Sequence, residues 1–402
     1  MAHSEAEMVK GHALKHGFEL TSEEDADFIL VNACAVKEQT ELKMLNRIKK
    51  LFELAEKNGS KLVIFGCLSK VSPDLIKKIS SEIIITGISL EELSEILKIE
   101  EEPFSMKINP VRNNPYITIV PIESGCTSFC TFCATKIARG NLKSQPIEIL
   151  KKGFESSLKK TKEFWLTGQD TGAYGLDINS SLPELLEKLL KVKGDYRIRI
   201  GMMNPQHLKR IYSKLIPLFE DERVYKFLHI PIQSGSNRIL KLMNRGYASE
   251  DYVLLIEKLR KDIPNITIAT DVIVGFPSET EKEFEETVKI LKKTTPEFVN
   301  ISRFGARPGT KAAEMPNQIH GRDKKERSRK ITDLCQEISF KRNKPLLGLE
   351  EVAFFAEKGY KKGFIGHLAN YRPVVIKENV LGEFKQVKVT KVHGFYLDAE
   401  LI

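Results

Sequence analysis

Three cysteines near the middle of the chain constrain its fold and chemistry more than any other feature. Cys126, Cys130 and Cys133 form a C-x3-C-x2-C pattern in the segment SGCTSFCTFCATK. An odd number of thiols at this spacing indicates a metal site with an open position rather than disulfide bonds. Three thiolates can hold three irons of a 4Fe–4S cluster and leave the fourth iron open. Zinc with a distant fourth ligand is the alternative, although zinc sites usually pair C-x2-C with a second pair or with histidines.

The composition indicates several soluble domains. The 402 residues are 41% hydrophobic and 29% charged, which predicts two or three domains. No apolar run approaches the roughly 20 residues of a membrane helix, and the first residues show no signal or transit pattern. We therefore expect a cytoplasmic protein with no membrane partner, where thiols stay reduced. The net charge of +9 favours a polyanionic partner, although it also suits solvated helices.

The N-terminal part has the pattern of a small parallel sheet. Within residues 1–100, amphipathic helical patterns alternate with the apolar strands FILVNAC, KLVIFGC and EIIIT. This alternation predicts a doubly wound domain with helices on both faces. Cys34 and Cys67 each end one of these strands, which is where open α/β sheets bind ligands. Residues 101–115 lack periodicity and are predicted to form a linker.

The remainder of the chain predicts a larger α/β domain followed by a β domain. Six strand patterns alternate with helical patterns in the domain predicted at 116–335: ITIVPI, EFWLTGQD, RIRIGMMN, FLHIPIQ, TIATDVIVGF and FVNISRF. Six βα units in roughly 190 residues suit a partial barrel, because a full eight-unit barrel needs about 250. A basic helical extension follows, in which Cys335 is predicted to be a small buried residue. Residues 340–402 show five short strands, predicting a small antiparallel barrel of a size that often binds RNA.

The cysteine loop and two later segments resemble the radical S-adenosylmethionine superfamily. Phe132 provides the aromatic residue before the third cysteine. The resemblance implies that the cysteines hold a 4Fe–4S cluster that binds S-adenosylmethionine. Thr167-Gly168-Gln169-Asp170 is similar to the segment that accepts hydrogen bonds from the ammonium group of the bound nucleoside. DVIVGFPSET resembles the G-x-I-x-G strand that lies against adenine, with Ile273 and Gly275 matching and Asp271 replacing the first glycine.

Two further segments, FLHIPIQSGSNRILKLMNRGY and SRFGARPGT, resemble the methylthiotransferase branch of that superfamily. The resemblance implies that Gln233 and Ser234 reach the nucleoside and that Arg245 pairs with a carboxylate or phosphate. A helix N-cap is the alternative interpretation of QSGSNR. His229, in the same segment, is expected to be packed or hydrogen-bonded rather than catalytic.

The N-terminal cysteines resemble ligands of a second, auxiliary cluster. Asn32-Ala33-Cys34-Ala35-Val36 and Gly66-Cys67-Leu68 match two of the three cysteine motifs that hold a second 4Fe–4S cluster in this family. The family's first cysteine precedes an acidic segment, and this chain starts at Met1-Ala2-His3-Ser4-Glu5, within that segment. We therefore expect the first strand and its cysteine to be missing. A catalytically impaired iron–sulfur RNA-binding protein is one alternative that follows from this departure.

IESGCTSFCTFCATKIARGNLKS and ISRFGARPGTKAAEMP resemble the archaeal and eukaryotic tRNA branch of the family. That branch adds a methylthio group to C2 of N6-threonylcarbamoyladenosine next to the anticodon, and the C-terminal barrel resembles its TRAM domain. The implied partners are the tRNA anticodon stem-loop, a low-potential electron donor and a sulfur donor. Arg139 and Arg303 are candidates for binding the threonylcarbamoyl group. A sister branch that modifies an aspartyl residue of a ribosomal protein is the second alternative.

Overall fold

The computed structural model describes residues 2–34, 38–87, 90–99, 111–359 and 363–402. The chain forms two compact units. The first comprises Met1–Asn113, Ser124–Asn141 and Gly305–Glu314, and the second comprises Asn114–Glu123, Leu142–Phe304 and Met315–Ile402. Most of the predicted linker, and Ala35 and Val36 of the Cys34 motif, lie outside the described residues. None of the helices in the described ranges combines the length and apolar character needed to cross a membrane.

The first unit contains a three-stranded parallel sheet surrounded by helices. Its strands, in order across the sheet, are β1 (Phe28–Asn32), β2 (Lys61–Phe65) and β3 (Ile84–Ile85). Its helices are α1 (Ala2–Lys15), α2 (Glu38–Asn58), α3 (Cys67–Val71), α4 (Pro73–Lys77), α5 (Leu90–Leu97) and α6 (Thr135–Arg139), the last of which follows the cysteine loop.

The central strand of this sheet is apolar on both faces. Ile64 of β2 packs in one buried cluster with Ile48 of α2, whereas the adjacent Val63 packs in another with Val9 of α1 and Leu93 of α5. Successive side chains of a strand point to opposite faces, so both faces of the sheet are covered. The doubly wound prediction for this domain is confirmed.

The second unit begins with the six predicted βα units. Its elements before the C-terminal barrel are β4 (Ile117–Pro121), β5 (Glu123–Ser124), β6 (Lys143–Ser144), α7 (Ile147–Leu158), β7 (Glu163–Thr167), α8 (Leu182–Leu190), β8 (Arg197–Ile200), α9 (Pro205–Leu215), β9 (Phe227–His229), α10 (Asn237–Leu242), α11 (Ser249–Asp262), β10 (Thr267–Val274), α12 (Glu281–Thr294), β11 (Phe298–Arg303) and α13 (Gly321–Asn343). The parallel sheets β4-β7-β8 and β9-β10-β11 are linked by a bridge between Ile198 and Val224. The partial barrel is confirmed.

Local sequence explains where its helices begin. Thr280 and Glu283 form a reciprocal capping box at the start of α12, in which each side chain accepts a hydrogen bond from the backbone amide of the other. Such a box satisfies two amides that have no partner within the helix. Phe284, Val288 and Leu291 then recur at helical spacing and are all buried.

The C-terminal strands close into a five-stranded barrel. They are β12 (Glu350–Lys358), β13 (Phe364–His367), β14 (Pro373–Ile376), β15 (Phe384–Val392) and β16 (Leu397–Leu401), in the order β12-β13-β14-β16-β15. Four of the pairings are antiparallel, but β14 pairs with β16 in parallel. The prediction of a barrel is confirmed, but it is not antiparallel throughout. Strand direction cannot alternate at every pairing around a closed ring with an odd number of strands.

A buried carboxylate joins this barrel to the preceding domain. Glu297, whose side chain is fully buried, forms ion pairs with Arg260 of α11 at 3.0 Å, Arg342 of α13 at 2.8 Å and Arg372 of the C-terminal barrel at 3.2 Å. It also accepts a hydrogen bond from the backbone amide of Ile268 at 2.8 Å. Burial raises the pKa of Glu297, but the charges of the three arginines outweigh that effect and hold the pKa below its usual value.

We expect Glu297→Ala to lower the free energy of unfolding of the second unit by about 3–5 kcal/mol, because it leaves three arginines without their shared anion. Chemical denaturation followed by fluorescence of Trp165, the single tryptophan, measures this change. Glu285→Ala breaks the solvent-exposed ion pair of Glu285 with Lys330 and should cost less than about 1 kcal/mol. Equal effects of the two substitutions would contradict the role assigned to Glu297.

Candidate functional site

The three central cysteines lie on one loop of the first unit and are all half-buried. The amide of Cys133 donates to the carbonyl of Cys130 at 3.2 Å, and the amide of Ser128 donates to the sulfur of Cys126 at 3.3 Å. Lys136 of α6 closes the loop by donating to the carbonyl of Cys126 at 2.5 Å and to the side chain of Asn141 at 2.7 Å.

Two observations bear on whether this loop fits an iron–sulfur cluster. Within the described ranges, no three or more Cys, His, Asp or Glu side chains converge closely enough to hold a single metal ion. The loop nevertheless supplies three soft sulfur donors and two buried hydroxyl groups, of Thr127 and Ser128, whose oxygens have no hydrogen-bond partner in the described structure. Buried hydroxyl groups usually have a hydrogen-bond partner, and a cluster bound in this loop would account for these two. The donor set therefore fits a cluster held by thiolates.

The two N-terminal cysteines are brought together by their strand ends. The amide of Ala33 donates to the carbonyl of Phe65 at 2.7 Å, and the amide of Leu68 donates back to the carbonyl of Ala33 at 3.0 Å. These bonds hold the Cys34 segment beside Cys67, the first residue of α3. Gly66 has a φ of 101°, and a Cβ there would lie 2.7 Å from the carbonyl oxygen of Ala33. Only glycine permits this approach.

Arg139 connects the helix after the cysteine loop to the N-terminal domain. It forms a bidentate ion pair with Glu5 at 2.6 and 3.1 Å, and both side chains are nearly buried. Burial raises the pKa of the Cys67 thiol, and the charge of Arg139 and a hydrogen bond from its guanidinium oppose that shift. Arg139 is thus engaged by Glu5 and Cys67 instead of being available to a nucleoside. Sequence analysis missed Glu5, because nothing in its local sequence indicates a partner more than a hundred residues away.

The segment predicted from SRFGARPGT lies against the same cysteine loop. The amide of Ala312 donates to the carbonyl of Thr131 at 2.9 Å, between the second and third cysteines. Arg307 forms a buried ion pair with Glu41 of α2. The cysteine loop of the first unit is therefore supported both by α6 and by this distant segment.

In the second unit, the predicted turn after β7 ends in a buried and fully hydrogen-bonded carboxylate. Asp170 is only 2% exposed, and its two oxygens accept from the amide of Asn204 at 3.0 Å and face Nδ1 of His207 at 2.7 Å. The side-chain oxygen of Gln169 is buried and has no partner in the described structure. Asp170 was predicted to face the nucleoside, but both of its oxygens are engaged by Asn204 and His207 at the start of α9. The side-chain oxygen of Gln169 remains able to accept a hydrogen bond.

Glu123 is a buried acid beside the predicted turn, and the sequence patterns did not single it out. It is 2% exposed, precedes Cys126 by three residues, and accepts a hydrogen bond from the amide of Asp170 at 2.9 Å through Oε1. A Cβ at Gly168 would lie 2.0 Å from that oxygen, so the glycine makes room for the carboxyl. An acid at the end of an apolar strand, directly before the cysteine motif, is the signal that could have identified it.

The segment after β9 places its predicted residues in different surroundings. Gln233 has a positive φ of 71° and pairs through its backbone with β10. Ser234 is fully buried and lies 3.5 Å from the hydroxyl of Thr287 in α12, which gives it a packing role. Arg245 donates to the hydroxyl of Tyr247 at 2.9 Å. With the Asn204 amide turned to satisfy its neighbours, its oxygen accepts from Arg245 at 3.2 and 3.3 Å, which ties Arg245 to the Asp170 network.

The predicted adenine strand is β10. Ile273 is half-buried near its end, and Gly275 follows with a φ of 72° and its amide bonded to Glu279 at 2.7 Å. A Cβ on Gly275 would lie 2.4 Å from the side chain of Lys324 in α13. Asp271, which replaces the first glycine, binds His229 at 2.8 Å. His229 is therefore hydrogen-bonded.

Family models match three parts of the chain. The "Uncharacterized protein family UPF0004" model matches residues 1–87, the "Radical SAM superfamily" model matches residues 120–291, and the "TRAM domain" model matches residues 352–402. Among solved structures, the radical S-adenosylmethionine methyltransferase TsrM from Kitasatospora setae has a TM-score of 0.56 at 13% identity, over 77% of this chain and 73% of that one. That likeness supports the fold alone.

Curated relatives match almost the whole chain. The "Probable threonylcarbamoyladenosine tRNA methylthiotransferase" of Archaeoglobus fulgidus is 38% identical over 99% of this chain and 95% of its own length. The threonylcarbamoyladenosine tRNA methylthiotransferases of Drosophila melanogaster and Homo sapiens are each 33% identical, over 99% and 96% of this chain and 75% and 69% of their own lengths. The chain therefore belongs to the threonylcarbamoyladenosine tRNA methylthiotransferase family.

Proposed function

We propose that this protein is a radical S-adenosylmethionine enzyme that converts N6-threonylcarbamoyladenosine next to the tRNA anticodon to its 2-methylthio derivative. The observation that carries the proposal is the combination, in one chain, of the C-x3-C-x2-C loop with relatives of that name along nearly its full length. C2 of adenine has an unactivated C–H bond, so acid–base catalysis by side chains alone does not suffice.

The radical SAM match supports an iron–sulfur cluster and S-adenosylmethionine as cofactors. When bound, they supply the one-electron chemistry that removes the C2 hydrogen. Cys126, Cys130 and Cys133 hold this cluster, with Phe132 beside it. The strand ends of the second unit bind the nucleoside through Gln169, Gln233, Ile273 and Gly275, while Asp170 and Arg245 keep these strand ends in place.

Cys34 and Cys67 hold an auxiliary 4Fe–4S cluster that carries or accepts the sulfur. Their proximity at the ends of β1 and β2 supports this assignment. The charge of the buried Arg139 offsets part of the rise that burial causes in the pKa of the Cys67 thiol. An electron donor of low potential and a sulfur donor complete the reaction.

We expect Cys130→Ala to abolish cleavage of S-adenosylmethionine and Cys67→Ala to spare cleavage but stop methylthiolation. Each substitution should lower the iron content by about four per chain after anaerobic reconstitution. Assays for 5′-deoxyadenosine, for iron and for methylthiolated nucleoside by mass spectrometry measure these outcomes separately.

Cys335→Ala is the matched control for both variants. Cys335 is buried in α13, as predicted, and burial raises the pKa of its thiol to about 12. The control should keep full iron content and both products. Retained cleavage in Cys130→Ala would contradict the cluster assignment, and methylthiolation by Cys67→Ala would contradict the auxiliary site.

Arg303 is the proposed partner of the threonyl carboxylate. It lies exposed at the C-terminal end of β11, whereas Arg139 is engaged by Glu5. Arg303→Ala should reduce the preference for modified over unmodified anticodon stem-loop by roughly 10- to 100-fold, the usual value of a hydrogen bond to a charged group. Arg303→Lys, which keeps the charge but cannot bind in a bidentate manner, should have an intermediate effect. An unchanged preference in both variants, measured by competitive binding, would exclude this role.

Lysines of the C-terminal barrel are the proposed contacts to tRNA phosphates. Lys377 and Lys391 are exposed on this barrel. Replacing either with Ala should weaken stem-loop binding and lower the slope of log Kd against log salt by about 0.9 for each phosphate that the variant no longer neutralises. Lys209→Ala, an exposed lysine of α9, is the control and should leave the slope unchanged. Fluorescence anisotropy over a salt series measures the slope, and identical slopes for all variants would rule out this role of the two lysines.

A further inference from the structure

Glu123 is a buried carboxyl that only partly meets its need for hydrogen bonds. Oε1 accepts from the amide of Asp170 at 2.9 Å, and the neighbouring amide of Gln169 also contributes. Oε2 is buried and has no hydrogen-bond partner in the described part of the chain. A buried polar atom left unsatisfied costs free energy, so native structures usually supply a protein, water or ligand partner.

The charges around Glu123 make the lack of a partner more costly. The pKa of Glu123 is raised to about 8, chiefly by burial and also by the charges of Asp170 and Asp177, while hydrogen bonds from the backbone amides of Asp170 and Gln169 oppose the rise. His207 is bonded to Asp170 instead. The charged side chains that act most strongly on Glu123, Asp170 and Asp177, are both acids. Glu123 is therefore stabilised either by protonation or by a ligand whose N–H groups donate hydrogen bonds to it.

Glu123 and the turn after β7 together provide oxygen atoms that can accept hydrogen bonds from the N–H groups of such a ligand. Asp170 uses both of its oxygens within the protein, whereas Oε2 of Glu123 and the side-chain oxygen of Gln169 are buried and unpartnered in the described structure. Both residues belong to the second unit and are linked by the backbone bonds that Glu123 accepts. Sequence similarity suggests that Asp170 accepts hydrogen bonds from the nucleoside, but the free acceptor atoms belong to Glu123 and Gln169 instead.

We propose that Glu123 accepts a hydrogen bond from the amino group of S-adenosylmethionine through Oε2, and thereby positions this amino acid moiety at the turn after β7. This inference rests on the proposed function. An N–H donor stabilises the charged form of a carboxyl, so binding lowers the pKa of Glu123 and releases its proton when the pH is below about 8.

The test is calorimetric titration of S-adenosylmethionine into the anaerobically reconstituted protein, in two buffers of different ionisation enthalpy. Because the pKa is about 8, the wild type should release about 0.9 proton more per ligand at pH 7 than Glu123→Gln, and this difference should shrink to about 0.1 near pH 9. As the pH falls below 8, the wild-type Kd should rise by up to about tenfold per pH unit, whereas the Kd of Glu123→Gln should not follow this rise. The ratio of variant to wild-type Kd should therefore be largest above pH 8 and fall as the pH is lowered.

Glu351→Gln is the matched control. Glu351 is also a glutamate whose pKa is raised by burial and which accepts from one backbone amide, that of Ala369, but it lies in the C-terminal barrel. Its proton release on binding should equal that of the wild type. If Glu123→Gln also matches the wild type in proton release and Kd, Glu123 only braces the turn and the proposal fails, while the proposed function stands.

An infrared difference spectrum of the wild type provides a test that needs no variant. Addition of S-adenosylmethionine at pH 7 should remove the carbonyl band of one protonated carboxyl group. An unchanged carboxyl region with ligand bound would overturn the proposal. Failure of the wild type to bind S-adenosylmethionine, at full iron content, would overturn both this inference and the proposed function.

Discussion

A carboxylate that leaves water needs a cation or several hydrogen-bond donors, and this requirement recurs wherever distant parts of the chain meet within a unit. Glu297 is neutralised by three arginines from α11, α13 and the C-terminal barrel. Glu163 of β7 is fully buried and accepts hydrogen bonds from Trp165 at 2.6 Å and Tyr225 at 3.0 Å, with His367 of the C-terminal barrel at 3.6 Å. Both acids sit where the C-terminal barrel packs on the preceding domain, so they define how the two are joined.

In the first unit, buried acids are likewise neutralised by arginines close to the cysteines. The Arg139–Glu5 pair ties α6 to α1, and the Arg307–Glu41 pair ties the 305–314 segment to α2. Because removing one partner leaves an uncompensated buried charge, each pair strongly favours a single arrangement of the segments it connects. The loop that carries Cys126, Cys130 and Cys133 therefore lies on a supported base, which suits a site whose ligands must keep a defined geometry.

Glu123 is the carboxyl that departs from this pattern. Its neighbours are acidic, and one of its oxygens has no partner in the described structure. In the described part of the chain, Glu297 and Glu163 have their charges balanced or hydrogen-bonded within the protein, whereas Oε2 of Glu123 has no such partner and is therefore the oxygen that we assign to a ligand. Buried groups with strongly shifted pKa values are common at functional sites for this reason.

The sequence by itself determined the elements and the donor chemistry. Apolar strands alternating with amphipathic helices indicated the doubly wound domain and the six-stranded partial barrel, since side-chain periodicity is a local property. The spacing of Cys126, Cys130 and Cys133 predicted a thiolate site from local sequence in the same way, and the position of Cys34 and Cys67 at strand ends predicted a second one. Tertiary structure alone decided the pairings: Arg139 with Glu5, Glu297 with three arginines, Asp170 with α9, and β14 with β16 in parallel. Such partners are tens to hundreds of residues apart, and which charges meet depends on how the elements pack, which local patterns do not encode.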